Sequence, residues 1–432
     1  MKSEKGGERD DKSELSNASD RKASHKEQED GVCETKVRKK AAEVLSWVPC
    51  HQFQSHTAEF DYLKSLEIEA KVNQLKFLPS GKSQHMMLLS TNDKTIKLWK
   101  VGATASYTSN AVQSYNSVKG GGGSLSLKLP QRAKDGGPAG GALSAKMKRS
   151  YNNAHSYHVN TLTINSEGDS FASVDDLRIN LWNFEDNKKC MNIIDSKPAN
   201  MEDLTEVFTC AAFHPLQNHT LAFSTSKGCI KVADLRMSAL CSSHLTFSDS
   251  AASEAIHAYG VEGAGSVFRE LMGSISDLKF SVDGRYMSTR DYLNIKIWDL
   301  HMTERPISTM AVHPHLNPLL PQLYESESIF DKFLLNFCPL GKRVLTGSYN
   351  NRFVVRDVAS GNPLIDGELP NYLDSAKAGT LRYVPETEAA TYAILDRNED
   401  VRTDQRIVHT AWHPHGNMLA IAGVAGLHLY AL

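Results

Sequence analysis

A turn followed by a strand recurs six times in this chain, and this repetition restricts the possible folds more than any other feature. In the first copy, residues 92–100 (NDKTIKLWK), a polar turn precedes alternating apolar residues and a tryptophan. The further copies cover residues 175–183, 226–234 and 290–299, with weaker ones at 349–357 and 424–432. Alternation with a period of two predicts strands, so the chain is predicted to consist of repeated β-units.

Each copy is the third member of a triplet of strand-like runs. In the first triplet these runs are QLKFLP, HMMLLST and TIKLWKV. Short strands that recur in a fixed order, with turn residues and insertions between them, are typical of propeller blades. We therefore expect an all-β fold of the WD-repeat β-propeller type with six visible repeats, either six-bladed or an incomplete seven-bladed ring. A β-sandwich is the alternative, and six matching triplets argue against it.

The composition divides the chain into a tail and a propeller. Residues 1–48 are predicted to be a disordered charged tail, since they offer little apolar surface to bury, and residues 49–432 to be the propeller. The basic run at 36–40 (KVRKK) fits either a nuclear-import signal or, more simply, a solvated charge cluster. Residues 102–150 are glycine-rich and are predicted to be a flexible insertion, with residues 120–141 mobile.

The sequence contains no signature of catalysis, a cofactor or a metal. The net charge of −2 favours neither nucleic acid nor membrane as a partner, and the seven scattered cysteines fit a reducing compartment. Walker A, GxGxxG and GxSxG motifs in a strand–turn–helix context are missing. His409, His413 and His415 resemble a metal group, but His413-Pro414 and His214-Pro215 both follow strands, which favours a turn role. We expect a cytoplasmic binding protein, with a nuclear location also open, and not an enzyme.

Several longer motifs resemble one family closely. They include FQSHTAEFDYLKSLEIE (53–69), DSKPANMEDLTEV (195–207), IFDKF (329–333), LTGSYNNRF and HTAWHP, in this order. Together they are similar to the regulatory B subunit, 55 kDa class, of protein phosphatase type 2A. The resemblance implies a seven-bladed propeller that docks on a helical-repeat scaffold subunit and a catalytic subunit and selects phosphorylated substrates.

The chain departs from the family pattern in two places. The family has one more repeat ahead of residues 53–69, where this chain has the charged tail and the segment AAEVLSWVPCHQ. Scaffold contacts made by that repeat are therefore in doubt. In GSVFREL (265–271) the family has two adjacent aromatic residues, and only Phe268 remains here.

The candidate substrate-binding residues lie in loops predicted to share one face of the propeller. The resemblance assigns Asp195 to an acidic substrate groove, and the neighbouring carboxylates would attract basic segments beside a phosphorylated residue. The alternative is that these carboxylates only solvate a loop and that Asp195 caps a turn. Aromatic residues of the same face are candidates for packing against a substrate helix. The full candidate set is Asp195, Lys197, Glu202, Asp203, Phe268, Tyr324, Glu325 and Tyr349.

Two functions remain open from the sequence. The first is a regulatory subunit of a serine/threonine phosphatase, and the second is a general WD-repeat interaction scaffold that has lost holoenzyme binding. Ring closure has two alternatives as well. Residues 60–69 either pair with the last strand, 427–432, to close a six-bladed ring, which we slightly favour, or stay beside the first blade and leave a gap.

Overall fold

Six antiparallel β-sheets, arranged as blades around a central channel, form the core of the computed structural model. It describes residues 52–62, 65–79, 85–103, 143–237, 245–247, 271–302, 304–370, 380–384, 400–414, 418–424 and 426–431. All of them belong to one compact unit, Lys39–Leu432. The predicted all-β propeller with six repeats is confirmed, because each predicted triplet forms the three inner strands of one sheet.

The strands are numbered in chain order, and each sheet is given from its inner strand outward. Sheet one contains β3 (Gln74–Phe77), β4 (Met86–Thr91), β5 (Ile96–Ala103) and β6 (Leu143–Tyr151). Sheet two contains β7 (Thr161–Ile164), β8 (Ser170–Val174), β9 (Arg178–Asn183) and β10 (Cys190–Asp195). Sheet three contains β11 (Phe208–Phe213), β12 (Thr220–Thr225), β13 (Ile230–Asp234) and β14 (Leu245–Phe247). Sheet four contains β15 (Asp277–Phe280), β16 (Tyr286–Arg290), β17 (Asn294–Asp299) and β18 (Ser308–Ala311). Sheet five contains β19 (Leu335–Phe337), β20 (Arg343–Gly347), β21 (Arg352–Asp357), β22 (Pro363–Glu368) and β23 (Thr380–Tyr383). Sheet six contains β24 (His409–Trp412), β25 (Met418–Gly423) and β26 (Gly426–Ala431). The strands β1 (Glu59–Asp61) and β2 (Leu66–Ile68) form a separate hairpin. Short helices with described bounds lie at Met201–Asp203, Pro314–Leu319, α1 (Leu320–Glu325) and Ser328–Phe330.

The recurring tryptophan ties the third strand of a sheet to its second strand. In sheet two, the Trp182 indole donates to Ser173 Oγ at 2.8 Å, and Ser173 Oγ lies 2.6 Å from Nε2 of the buried His155. His155 Nδ1 lies 2.8 Å from Asp175 Oδ2, and Asp175 Oδ1 accepts from the backbone amides of Leu177 and Arg178. Trp99 and Trp298 repeat the first link in sheets one and four. The repeated motif thus holds a turn and two strands in one buried network.

Neighbouring sheets are joined near the channel by side chains that bond across to the next sheet. Gln74 accepts from the Leu162 amide, Thr163 from the Phe213 amide at 2.9 Å, and Asp277 from the Leu335 amide at 2.9 Å. Asn336 donates to the Thr410 carbonyl at 2.7 Å. His214 Nε2 donates to the Gly284 carbonyl at 2.9 Å, while its Nδ1 accepts from the amides that follow β11, so the predicted turn role of His214 is confirmed.

The predicted pairing of residues 60–69 with the last strand is wrong. Ser65 has a φ of 50°, in the left-handed region, and reverses the chain so that β1 and β2 pair with each other. Among the described strands, β26 pairs only with β25, and its outer edge stays free. In the part of the chain that the structure describes, the strands of sheet one do not pack closely against those of sheet six, and we call the space between these two sheets the slot. Burial lowers the pKa of His409 on sheet six; the negative charge of Asp277 opposes this effect, and the positive charge of Lys71, before β3, adds to it.

The predicted insertion at residues 102–150 has the wrong bounds. The strand β5 continues to Ala103, and β6 begins at Leu143 and pairs with it as the outer strand of sheet one. The sequence pattern LSAKMKRSY lacks the regular alternation that marks the inner strands, because an outer strand is only partly covered. The predictions for residues 1–48, for residues 120–141 and for Phe268 lie outside the described residues. Among the helices that the structure describes, none has the length and apolarity needed to cross a membrane.

Candidate functional site at the upper mouth of the channel

A cavity of about 440 Å³ opens at the upper mouth of the channel. We call upper the face where the inner strands begin and where the loops between second and third strands emerge. Sheets two to five all contribute residues to it. Its apolar lining comprises Val207, Phe208, Leu271, Ile275, Ile329 and Phe330, and its charged lining Asp176, Lys227, Asp331 and Lys332. An apolar hollow with charges of both signs at its border is suited to a peptide side chain with polar neighbours.

Tyr349 lies beneath this cavity and is fully buried, with 0% of its surface exposed. The prediction that it is an exposed contact residue is therefore wrong. Its hydroxyl accepts from Tyr292 at 2.8 Å and faces the Ser328 carbonyl at 3.0 Å and Asp331 Oδ2 at 2.9 Å. Because the Tyr349 hydroxyl can hydrogen-bond to the loop below the cavity, its side chain packs inward. The same hydroxyl holds the side chain of Asp331, which lines the cavity.

Burial shifts the pKa values of the side chains beneath the cavity. Burial raises the pKa of Tyr292 to about 12 and raises the pKa of Tyr349 further. Burial also raises the pKa of Asp331, although Tyr349 and the ion pair with Arg406, at 2.9 Å, oppose this effect. Both phenols therefore keep their protons at neutral pH and act as fixed hydrogen-bonding groups.

Asp195 is exposed and ends β10 at the upper face, as predicted, but it already has partners. Its Oδ2 accepts from Arg178 Nε at 3.0 Å and from Asn192 Nδ2 at 3.1 Å, and its Oδ1 accepts from the Lys197 amide at 3.0 Å. The turn-capping alternative is thus observed. The role of Asp195 in binding substrate remains a prediction.

The loop after Asp195 leads from the outer rim of sheet two to the cavity. Glu202 and Asp203 are exposed in the helix Met201–Asp203, where the Asn200 side chain accepts from the Glu202 amide. The predicted Lys197 is also exposed. Further along, Val207 lines the cavity, so the structure places these predicted residues on one path across the upper face.

Tyr324 and Glu325 end α1 on the same face and are exposed. The Tyr324 ring, 48% exposed, lies 6.1 Å from the ring of Phe330, which is 54% exposed and lines the cavity. Sequence reasoning named Tyr324 but missed Phe330. The signal for Phe330 was its position in IFDKF, where Ile329 and Phe333 are buried and Phe330 between them points outward. The two exposed rings form an aromatic border beside the cavity.

No group of three or more His, Cys, Asp or Glu side chains in the described ranges is arranged to hold a metal ion. The cavity instead carries charged side chains of both signs at its border. The exposed Lys227 and Lys332 share its border with Asp176 and Asp331. Such a border can bind both a phosphate group and the basic residues next to it.

Comparisons with known proteins agree with the fold and extend beyond it. Residues 61–100 match the family model of the WD domain, G-beta repeat. The chain is 40% identical over 430 residues to the alpha isoform of the 55 kDa regulatory B subunit of serine/threonine protein phosphatase 2A from Oryza sativa subsp. japonica, an alignment that covers 88% of this chain and 71% of that protein. It is 48% identical over 307 residues to the regulatory B subunit of protein phosphatase PP2A from Candida tropicalis, covering 70% of this chain and 58% of that relative.

Proposed function

Because the chain belongs to the family of 55 kDa regulatory B subunits of protein phosphatase 2A, we propose that it recruits phosphorylated proteins to a serine/threonine phosphatase through its upper face. The observation that carries this proposal is the cavity at the channel mouth, which lies beside the acidic loop 195–207. The chain itself supplies no chemistry in this proposal. It binds and orients a substrate that the catalytic subunit dephosphorylates.

The proposed partners are the helical-repeat scaffold subunit, the catalytic subunit and phosphoproteins with basic residues beside the phosphorylated site. The carboxylates of Asp195, Glu202 and Asp203 would attract the basic residues, and the apolar lining would accept a bulky side chain of the same segment. Lys227 and Lys332 would attract the phosphorylated segment to the channel mouth before the catalytic subunit hydrolyses the phosphate ester with water.

Reconstitution tests this function. The full-length chain is mixed with purified scaffold and catalytic subunits, and we expect a ternary complex in gel filtration. This complex should dephosphorylate a basic-flanked phosphopeptide faster than the two subunits without the chain. The isolated chain should have no phosphatase activity of its own, and activity there would contradict a purely regulatory role.

Variants at the cavity separate assembly from substrate binding. Phe330→Ala should leave the ternary complex intact and weaken peptide binding by about 1–2 kcal/mol, since a large aromatic contact is removed. Leu340→Ala, at an exposed turn between β19 and β20, is the matched control and should bind normally.

The second candidate function is a general interaction scaffold without holoenzyme binding. The open ring favours it, because sheet one has no described neighbour on the slot side, where the family has a further repeat. Failure of the chain to assemble with the scaffold and catalytic subunits, together with retained binding of the phosphopeptide, would support this alternative.

A further inference from the structure

The wall of the slot on sheet one is apolar and exposed. Leu75 and Phe77 of β3 and Met86 of β4 are 53%, 65% and 47% exposed. They share one face of the sheet, because Phe77 pairs with Leu88 and Leu88 with Trp99, in a single cross-strand row. Gln74 points the other way, to sheet two, so this row faces the slot.

The wall on sheet six is also apolar. Leu419 and Ile421 of β25 are fully buried against sheet five. Ala420 lies between them, so Ala420 and the residues on its side of the sheet face the slot. They include Ala411, Ala422, Leu427 and Leu429. Two facing apolar walls of this size are costly to leave in water, at about 25 cal/mol for each Å² of exposed apolar surface.

The chain just before β1 already lies on the sheet-one wall. The Phe53 ring lies 4.8 Å from the Trp99 ring, Lys97 Nζ donates to the Ser55 carbonyl at 3.1 Å, and His56 Nε2 donates to the Thr95 carbonyl at 3.1 Å. Followed from His56 back to Phe53, the chain therefore runs down β5 toward the end of the sheet where Phe77 and Met86 are exposed. The described chain is therefore already on the slot side of sheet one at Phe53.

The residues upstream of Phe53 carry the right chemistry. Residues 41–50 read AAEVLSWVPC, with Val44, Leu45, Trp47 and Val48 and a single charge at Glu43, whereas residues 1–40 are dominated by charged and polar side chains. Phe77 is two strands from Trp99, or about 10 Å. The six residues from Phe53 back to Trp47 reach up to about 20 Å, enough to cross the wall.

We propose that residues 41–50 pack into the slot and cover Leu75 and Phe77, with Trp47 as the main contact. The segment then substitutes for part of the apolar surface that a neighbouring sheet would otherwise supply. It also shields the lower part of the slot from pairing with other chains.

Photo-crosslinking in the full-length chain tests this inference. Trp47 is replaced with p-benzoylphenylalanine, the protein is irradiated, and the linked peptides are identified by mass spectrometry. We expect links within one chain to peptides that contain Leu75 and Phe77. The same photo-reactive residue at Leu15, in the charged region, should give none of these links.

A second pair of variants tests whether the Trp47 links depend on the contact with Phe77. Phe77→Asp should reduce the Trp47 links to the level of the Leu15 control, whereas Leu340→Asp, which introduces the same charge at another exposed apolar residue, should leave them intact. Mixing isotopically light and heavy chains distinguishes links within a chain from links between chains. Links between chains would show that a second copy occupies the slot. The absence of links to either wall would show that residues 41–50 lie outside it. Either result would overturn the proposal.

Discussion

At the scale of single residues, the floor of the upper-face cavity depends on a buried polar network. His313 is fully buried; its Nδ1 donates to the Tyr292 carbonyl at 3.1 Å, and its Nε2 accepts from the Ser348 hydroxyl at 2.7 Å. Burial lowers the pKa of His313 well below its usual value, and the positive charge of Arg290 adds to this effect. The neutral imidazole therefore joins the loops of sheets four and five under the site.

The first prediction follows from this neutral histidine. A histidine whose pKa is lower in the folded than in the unfolded chain stabilises the fold fully above its unfolded pKa of about 6.5, and this stability is lost as the pH falls below that value, at about 1.4 kcal/mol for each pH unit. His313→Gln should remove this dependence. Urea unfolding at about pH 7.5 and about pH 5.5 measures it: the decrease between the two should be about 1–1.5 kcal/mol larger in the parent than in the variant. Equal decreases would show that His313 protonates in the folded state.

The second prediction concerns the hydroxyl of Tyr349. Tyr349→Phe keeps the ring but leaves the Tyr292 hydroxyl, the Ser328 carbonyl and Asp331 without this partner. We expect a loss of about 1–3 kcal/mol in the free energy of unfolding, because buried polar groups lose their hydrogen bond. Tyr62→Phe, at a largely exposed ring, should change nothing. Equal stability of the two variants would show that water replaces the missing hydroxyl.

At the scale of the elements, the packing of sheet five against sheet six requires a glycine at the end of β20. A Cβ at Gly347 would overlap with the Ile407 carbonyl, which belongs to the segment entering β24. A backbone atom cannot move aside as a side-chain tip can. The two sheets therefore meet at backbone distance near their upper ends, beside the site.

The third prediction tests this close approach. Gly347→Ala should lower the free energy of unfolding by about 1–3 kcal/mol, since overpacking forces the backbone apart. Gly273→Ala is the matched control, because a Cβ there would lie 3.7 Å from the nearest atom, the Lys227 carbonyl oxygen, at an ordinary contact distance. Chemical denaturation of both variants gives the comparison, and a small effect at Gly347 would mean that the sheets separate easily.

The inner three strands of every sheet were predictable, and several other features were not. Inner strands such as β8 and β20 are buried on both sides, so they carry the apolar pattern that sequence analysis detects. The outer strands β6 and β10 are partly exposed and lack it. The hairpin of β1 and β2 was read as one strand, because a residue such as Ser65 gives no sign in the sequence that it will adopt a positive φ.

The candidate site was predictable where exposure follows from charge. Glu202 and Asp203 are exposed as expected. The exposure predicted for Tyr349 is wrong and Phe330 was not predicted, since an aromatic residue in a loop packs inward or outward according to partners far away in the sequence. For Tyr349 these partners are Tyr292 and Asp331.

At the scale of the whole molecule, the upper and lower faces differ in what they present to a substrate. The acidic loop lies on the upper face, whereas Glu185 and Asp186 lie on the lower face, in the turn between β9 and β10. Charges on a surface act on an approaching molecule over about 8 Å at physiological ionic strength. The acidic loop therefore affects the rate of encounter more than the final affinity.

The fourth prediction is a salt dependence confined to one face. Glu202→Gln combined with Asp203→Asn should slow association of a basic-flanked phosphopeptide at low salt and reduce the decrease of the association rate with ionic strength. Glu185→Gln with Asp186→Asn removes the same charge from the lower face and should have little effect. Stopped-flow measurements over a range of salt concentrations compare them, and identical slopes would place the encounter elsewhere.

The open ring has one more consequence, which concerns how the molecule comes apart. Sheets two to five each have two neighbouring sheets, whereas the first and the sixth have one each among the described sheets. In a linear array of repeats, stability is a sum of unit and interface contributions, so the end units detach first. We expect amides of β25 to exchange with solvent hydrogen faster than those of β12, and uniform exchange would contradict this. A quality-control protease could then attack the detached carboxyl-terminal sheet. At that stage the site at the channel mouth, built on sheets two to five, would still be intact.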